Sequence, residues 1–496
     1  MSSIHHTAGV PPAGPVGSAA DSTAGPQSDP QARTGLGAGL SRTHLHGLIT
    51  IILSGFAFWL GYYNGLPTAT SWYLCLTMCA ICLWATDLIP GNMVAMMLPI
   101  AYILAGVGSP AVILKSWTSP MGWLIIGGLV MGLILNHTGL AKRIALWSLL
   151  QARGSFVLLL WGLMLVGVLI TPLVPSAVSK GILMMIICMG ICDAAGFEPK
   201  SRQAATVMLV GVMSIACPRI GFYTGSGDIT LPLEIMKSLG ATVTWGGYFV
   251  QNFIPSLVYS AAVVALIILV MRPKTDANLK DYVQQEYRAL GPVSTAEKKA
   301  FALFITLVLL LLTDTIHGIN PGWIMMILAF LSFIPGLGIV DRKQFDSMKL
   351  GSVFFVVGCM AIGIGAQATG LDKILSAAML PLLQGQSELV TLLTTYGAAV
   401  GLKFALTPVA AASTFTAPIV DIATTLGINP QGMVYTFIYG LDQSILPYEN
   451  AVYILYFATG YIAFKDFVKV TALKAFLAIA VLAAICYPYW KLTGAF

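Results

Sequence analysis

Apolar runs of membrane-crossing length recur along almost the whole of this 496-residue chain, near residues 47–64, 70–88, 92–108, 120–150, 203–230, 244–271, 301–318, 320–338, 350–372, 431–461 and 470–490. The hydrocarbon core of a bilayer is roughly 30 Å thick and takes about 20 helical residues to cross. Lipid offers the backbone no hydrogen-bond partner, so each run must satisfy its own amides and is read as a helix. Only 9% of the residues are charged and 57% are hydrophobic, whereas about a quarter are charged in soluble domains. The expectation is an all-α polytopic membrane protein with about eleven transmembrane helices. Eight cysteines, Cys75, Cys79, Cys82, Cys188, Cys192, Cys217, Cys359 and Cys486, lie in these apolar stretches without zinc-type spacing and read as small core residues.

Residues 123–144, WLIIGGLVMGLILNHTGLAKRI, recur 231 positions later as FFVVGCMAIGIGAQATGLDKIL, residues 354–375, with Gly127, Gly132, Thr138, Gly139, Leu140 and Lys142 repeated in register. Two related halves follow. Five crossings separate the copies, an odd number, so the second copy runs through the bilayer opposite to the first. Lysine and arginine placement supports this map, since positive charge collects on the cytoplasmic side. Arg33, Arg42, Lys142, Arg143, Arg153, Lys200, Arg202, the 272–299 linker, Arg342, Lys343, Lys349, Lys465, Lys469 and Lys474 fall inside. Only Lys115, Lys237, Lys373 and Lys491 fall outside, while Lys180, Arg219 and Lys403 fall within membrane regions. The net charge of +6 then belongs to cytoplasmic loops facing lipid headgroups and needs no nucleic-acid partner.

The domain plan is a cytoplasmic tail over 1–45, a first membrane half over 46–271, a polar linker over 272–299 and a second half over 300–496. The tail is rich in Ala, Gly, Pro and Ser, carries His5 and His6, and lacks the apolar core of a signal peptide. It is expected to be disordered. The linker is expected to hold an amphipathic cytoplasmic helix acting as a connector. The N-terminus is placed in the cytoplasm of a bacterial-type inner membrane and the C-terminus outside.

Two more apolar regions, 155–195 and 386–428, are interrupted by TPLVPSAVSKG (171–181) and TPVAAASTFTAP (407–418). They are expected to enter the membrane and return as re-entrant hairpins, one per half. Proline ends the incoming helix and frees carbonyls, while the returning helix presents free N–H groups and its positive dipole end. Such groups bind cations and anions respectively at the midplane of transporters built from inverted repeats. Lys180 lies just past the first tip, where a cation needs a partner or water. An anionic substrate is one such partner; the other reading is snorkelling. Each half then has a crossing broken in mid-membrane, PRIGFYTGSGDITLP (218–232) and LDQSILPYENAVY (441–453). Gly221, Gly225, Gly227 and Pro447 allow unwinding, and Thr224, Ser226 and Ser444 supply hydroxyls. Asp228 and Glu449 are candidates for handling a coupling ion. Asp228 paired with Arg219 also reads as a structural bridge, whereas Glu449 has no evident partner in the sequence.

This order of parts, repeated in both halves, resembles the divalent anion/sodium symporter family of di- and tricarboxylate and sulfate carriers, from about residue 45 to the C-terminus. That family carries Ser-Asn-Thr at each hairpin tip; here the tips read Ser176-Ala177-Val178 and Ala412-Ser413-Thr414. The first tip, Pro175-Ser176-Ala177-Val178-Ser179-Lys180, is most similar to the Pro-Ser-Asn-Thr-Ala-Arg of the citrate, tartrate, succinate and 2-oxoglutarate/malate exchangers. The resemblance implies a homodimer whose transport part moves as a rigid body in an elevator-type cycle, and tips that hold carboxylates and help bind sodium. Both asparagines are replaced here. A fixed cation at Lys180 then favours anion exchange or proton coupling over sodium symport.

The expected function is secondary transport of a small organic anion, most simply a di- or tricarboxylate. Ser176, Lys180, Ser413 and Thr414 are the expected substrate contacts, with Thr224, Ser226 and Ser444 lining the site. Asp228, Glu449, Ser176 and Thr407 are the expected handlers of a coupling ion, sodium or proton. No cofactor is expected. Sulfate, sulfonates and aromatic carboxylates are alternative substrates. A polytopic enzyme would require clustered His, Asp or Glu, whereas His137 and His317 stand apart. A channel has no use for two hairpins that fail to cross. A binding protein that does not transport is a further alternative.

Overall fold

The computed structural model describes residues 36–496 apart from 87, 153, 175, 274–278, 349 and 405. Most of the expected tail, with His5 and His6, and Pro175 of the first tip lie outside the described residues. The chain divides into two compact units, residues 1–48 and 49–496. Of the first, residues 36–48 are described and are helical. The second is helical throughout, with no strand among the described residues.

Seven helices among the described residues are long and apolar enough to cross a bilayer, and an eighth is counted if Val353–Thr369 and Leu371–Pro381, bent by 79°, form one span. The eleven expected crossings are therefore not eleven long helices. The stretch 203–230 divides into Arg202–Ala216 and Gly227–Ser238 around a short turn, Pro218–Gly221. The stretch 431–461 divides into Pro430–Leu441 and Ala451–Ala458 around Pro447–Glu449. Three further apolar helices, Gly91–Leu104, Phe156–Ile170 and Pro321–Leu331, have only 14, 15 and 11 residues. At 1.5 Å per residue the longest of these rises about 22 Å, less than the hydrocarbon thickness. A hydropathy window averages along the chain and does not register where the backbone turns.

Both copies of the repeat fold alike. Each is a helix, a left-handed glycine and a second helix: Pro120–His137, Gly139 (φ +76°) and Leu140–Leu150, then Gly351–Thr369, Gly370 (φ +69°) and Leu371–Leu383. Glycine is required at each turn because a Cβ disfavours positive φ. The preceding threonine seals the helix end in both, Thr138 donating to the Ile134 carbonyl and Thr369 to the Gly365 carbonyl, each at 2.8 Å.

The halves exchange packing partners reciprocally. Helix Pro120–His137 of the first half lies on Pro321–Leu331 of the second, and Gly351–Thr369 of the second lies on Gly91–Leu104 of the first. Both contacts are made at glycines too close for a side chain: a Cβ on Gly127 would stand 2.9 Å from Met325, and one on Gly358 would strike the Ala95 carbonyl.

The two regions expected to be hairpins each hold a pair of helices, Phe156–Ile170 with Ala177–Ala194 and Glu388–Lys403 with Pro408–Thr425, and Ala177–Ala194 is itself long and apolar enough to cross a bilayer. Each returning helix is started by a hydroxyl cap: Ser176 accepts from the Ser179 N–H and Thr407 from the Ala410 N–H, both at 3.3 Å. These caps meet orphan amides that the chain break leaves. In the linker, helix Lys280–Ala289 is amphipathic, with Leu279 and Val283 buried against Leu140–Leu150. Lys142 and Glu286 pair across that contact at 2.9 Å.

Candidate functional site

The carbonyls freed by the two broken crossings are not left open. Around the first break, Ser256 donates to the carbonyls of Cys217 and Pro218, both at 3.2 Å, and Tyr248 donates to that of Ile220 at 2.6 Å. Thr230 closes onto the Tyr223 carbonyl at 2.9 Å, and the Lys180 ammonium donates to the Gly225 carbonyl at 2.9 Å. Around the second break, Thr471 donates to Ile445 O at 2.8 Å, Lys474 to Asp442 O at 2.9 Å, and Lys403 to Glu449 O at 3.2 Å. Buried backbone groups must find partners, and here three of the donors are ammonium groups. A cation therefore already sits on each break as part of the chain.

Glu449, read from sequence as lacking a partner, has one. Its carboxylate accepts from the N–H groups of Ile445 and Leu446 at 3.2 and 3.0 Å, holding the turn closed. Lys474, expected among the cytoplasmic charges, is fully buried. It lies ten residues into helix Phe464–Val481, on the same buried stripe as Phe467, Val470, Thr471 and Ala478. That three-and-four spacing was the available signal for its burial.

Lys474 is one end of a charge chain that joins the halves. Its ammonium lies 2.7 Å from one oxygen of Asp442, and the other oxygen accepts from Arg219 at 2.8 Å. The other end of the Arg219 guanidinium donates to both oxygens of Asp228 at 2.7 Å and to the Ser226 hydroxyl. Asp442, passed over in the sequence in favour of Glu449, is the junction. The chain runs from the interior outward: the Lys474, Asp442 and Arg219 side chains are 0%, 1% and 5% exposed, and that of Asp228 is 13% exposed.

Asp228 opens onto a cavity of about 240 Å³. Ser176, Ala177 and Val178 of the first hairpin tip form one wall, and Ser226, Gly227, Asp228 and Thr230 of the first break form another. Leu124, Ile125, Gly128 and Leu129 of the first repeat, Val356 of the second, and Val409 at the start of helix Pro408–Thr425 complete it. Hairpin tip, broken crossing, both repeat copies and the second hairpin thus meet at one place, although they lie up to about 290 positions apart in the chain.

Of the expected site residues, Ser176, Ser226 and Asp228 line this cavity. Lys180 is buried, with its ammonium on Gly225. Ser413 and Thr414 both donate back to the Ala410 carbonyl at 2.9 Å within their own helix. Thr224 is buried and accepts from the Trp245 indole at 3.2 Å. The Ser444 hydroxyl is buried beside the second break and makes no hydrogen bond, and Thr407 serves as a helix cap.

Residues 41–496 match the sequence pattern of the sodium:sulfate symporter transmembrane region. The chain belongs to the divalent anion/sodium symporter family. Its members are transporters, which sets the membrane-enzyme alternative aside. Among the relatives, a membrane protein of Cupriavidus necator is 26% identical over 323 residues, which is 61% of this chain and 62% of that protein. L-tartrate/succinate antiporters of Shigella flexneri and Escherichia coli K12 are each 23% identical, over 384 and 380 residues, covering 73% of this chain and 76% of theirs. Among solved structures, the Alcanivorax borkumensis YdaH transporter superposes over 86% of this chain and 99% of its own, with a TM-score of 0.46 and 13% identity.

Proposed function

We propose that this protein exchanges small organic dianions across the membrane, dicarboxylates of four carbons above all, with the 240 Å³ cavity as the binding site. The observation that carries this reading is the meeting of the first hairpin tip, the first broken crossing and the start of the second hairpin's returning helix around one cavity. Charge supports an anionic substrate. Around the two breaks Lys180, Arg219, Lys403 and Lys474 face Asp228, Asp442 and Glu449, an excess of one positive charge. The family's carriers take divalent anions, and relatives named as tartrate and succinate antiporters suggest the size of substrate. Leu124, Ile125, Leu129, Val178 and Val356 favour an anion with a hydrocarbon middle over sulfate. The same walls support sulfonates or aromatic carboxylates as the second reading.

Ammonium groups built into both breaks occupy carbonyls that a sodium ion would use, which favours exchange or proton coupling. The halves are taken to be inverted, the protein to work as a homodimer, and the movement to be of the elevator type. The test is counterflow of labelled succinate and L-tartrate in proteoliposomes, with and without sodium and a pH gradient, for wild type and Lys180→Ala. Sodium-independent exchange that the substitution abolishes is the expected result. Absence of carboxylate flux under every gradient would sink the reading.

A further inference from the structure

The only charged group among the residues lining the cavity is a carboxylate, Asp228. For a site that is to accept anions this is the wrong sign, unless the carboxylate covers something. It does: Asp228 stands between the cavity and Arg219, taking two hydrogen bonds of 2.7 Å from one guanidinium nitrogen, which also reaches Ser226. The opposite side of the guanidinium is committed differently. There it meets Asp442, which is itself held by Lys474 at 2.7 Å, and all of these groups are sealed from the cavity. One Arg219 contact is therefore anchored from behind, while the other is made to a group that touches open space.

We propose that Arg219 is the carboxylate-binding cation of the transport cycle, and that Asp228 is its internal stand-in, holding Arg219 while the cavity is empty and yielding it to one carboxylate of the substrate. The proposal rests on the anion-carrier reading of the cavity. A carboxylate arriving in Asp228's place inherits the donor that Asp228 has now, the Arg219 nitrogen. Arginine suits this because its planar fork presents donors on two sides, one for a fixed partner and one for an exchanged partner. The stand-in also keeps Arg219 from standing unpaired in a dry interior while the cavity is empty, a costly state.

The experiment uses the purified full-length protein in detergent and in proteoliposomes. Binding of succinate and L-tartrate is measured by calorimetry for wild type, Asp228→Asn and Arg219→Gln, with thermal melting as the check on folding. The expected result is binding at least tenfold tighter in Asp228→Asn and none in Arg219→Gln. Asp228→Ala is the second variant, because it leaves a carboxylate-sized gap. Millimolar acetate should raise its melting temperature and compete with succinate, with neither effect in wild type. If Asp228→Asn binds no more tightly than wild type and acetate neither stabilises nor competes in Asp228→Ala, Asp228 is a fixed structural partner and the proposal is overturned while the carrier reading stands. If no variant and not the wild type binds a dicarboxylate, the carrier reading falls, and this proposal with it.

Discussion

Replacing Lys474 with methionine removes the innermost charge of the chain that joins the two halves, and its effect can be worked out from the geometry. The ammonium has no exposed surface and makes two hydrogen bonds, 2.7 Å to the Asp442 carboxylate and 2.9 Å to the Asp442 carbonyl. Removing one member of a buried ion pair costs about 3–5 kcal/mol, because the other is left with uncompensated charge. Asp442 keeps Arg219 at 2.8 Å, so the lower end, about 3 kcal/mol, is the expectation. Methionine retains most of the apolar stem, which keeps packing losses out of the comparison. The assay is equilibrium unfolding by dodecyl sulfate in mixed micelles, with Lys465→Met as the exposed control, expected within about 0.5 kcal/mol of wild type. The double variant Lys474→Met/Asp442→Asn should recover part of the loss, since it removes both charges together. If Lys474→Met is as stable as Lys465→Met, or if the double variant merely sums the two single losses, the coupling argued from these distances does not exist.

Three further outcomes follow from particular contacts. Gly225→Ala would drive its Cβ into the Arg219 carbonyl oxygen, so the first break must reshape; counterflow activity should fall at least tenfold while the protein remains in the membrane, and normal activity would show that the break tolerates a side chain. Gly127→Val places a branched side chain against the Met325 backbone and should destabilise by about 1–3 kcal/mol through overpacking, read in the same micelle titration. At the linker, burial pushes the Glu297 carboxyl upward, but the Arg143 hydrogen bond and the Ser294 N–H outweigh it and hold it below the ordinary 4.5. A lowered value means that this clasp contributes fully above about pH 4.5 and loses its contribution as the pH falls through the lowered value; Glu297→Gln should be less stable than wild type at pH 7 and show a flatter decline on acidification, and identical melting curves against pH would count against it.

The helical class of this chain was legible because lipid allows so few alternatives, and the breaks were legible because proline and glycine act on the residues beside them. Thr171-Pro172 and Thr407-Pro408 marked the places where the helices break, and Ser176 and Thr407 proved to be helix caps, a function set within three residues. Misreadings arose where the answer depended on how the chain folds rather than on residue type and spacing. Glu449 seemed unpartnered although its partners lie three and four residues away, because only the folded turn at Pro447 points those N–H groups at it. Lys474 was counted as cytoplasmic because position along a helix was read without the face it occupies. Asp442 was overlooked because its two cations are 223 residues before and 32 residues after it.

Sequence alone therefore determined what local chemistry and solvent dictate: helices throughout, two matching stretches that fold alike, breaks at proline and glycine, and cations in apolar segments in need of partners. Only the tertiary structure decided which of these parts meet. The cavity gathers residues from Leu124 to Val409, and the sign of its lining depends on Asp228 turning one way toward Arg219 and the other toward open space. The pairing of Arg219 with Asp442, 223 positions apart, is fixed by how distant helices pack, and no window along the chain contains both members.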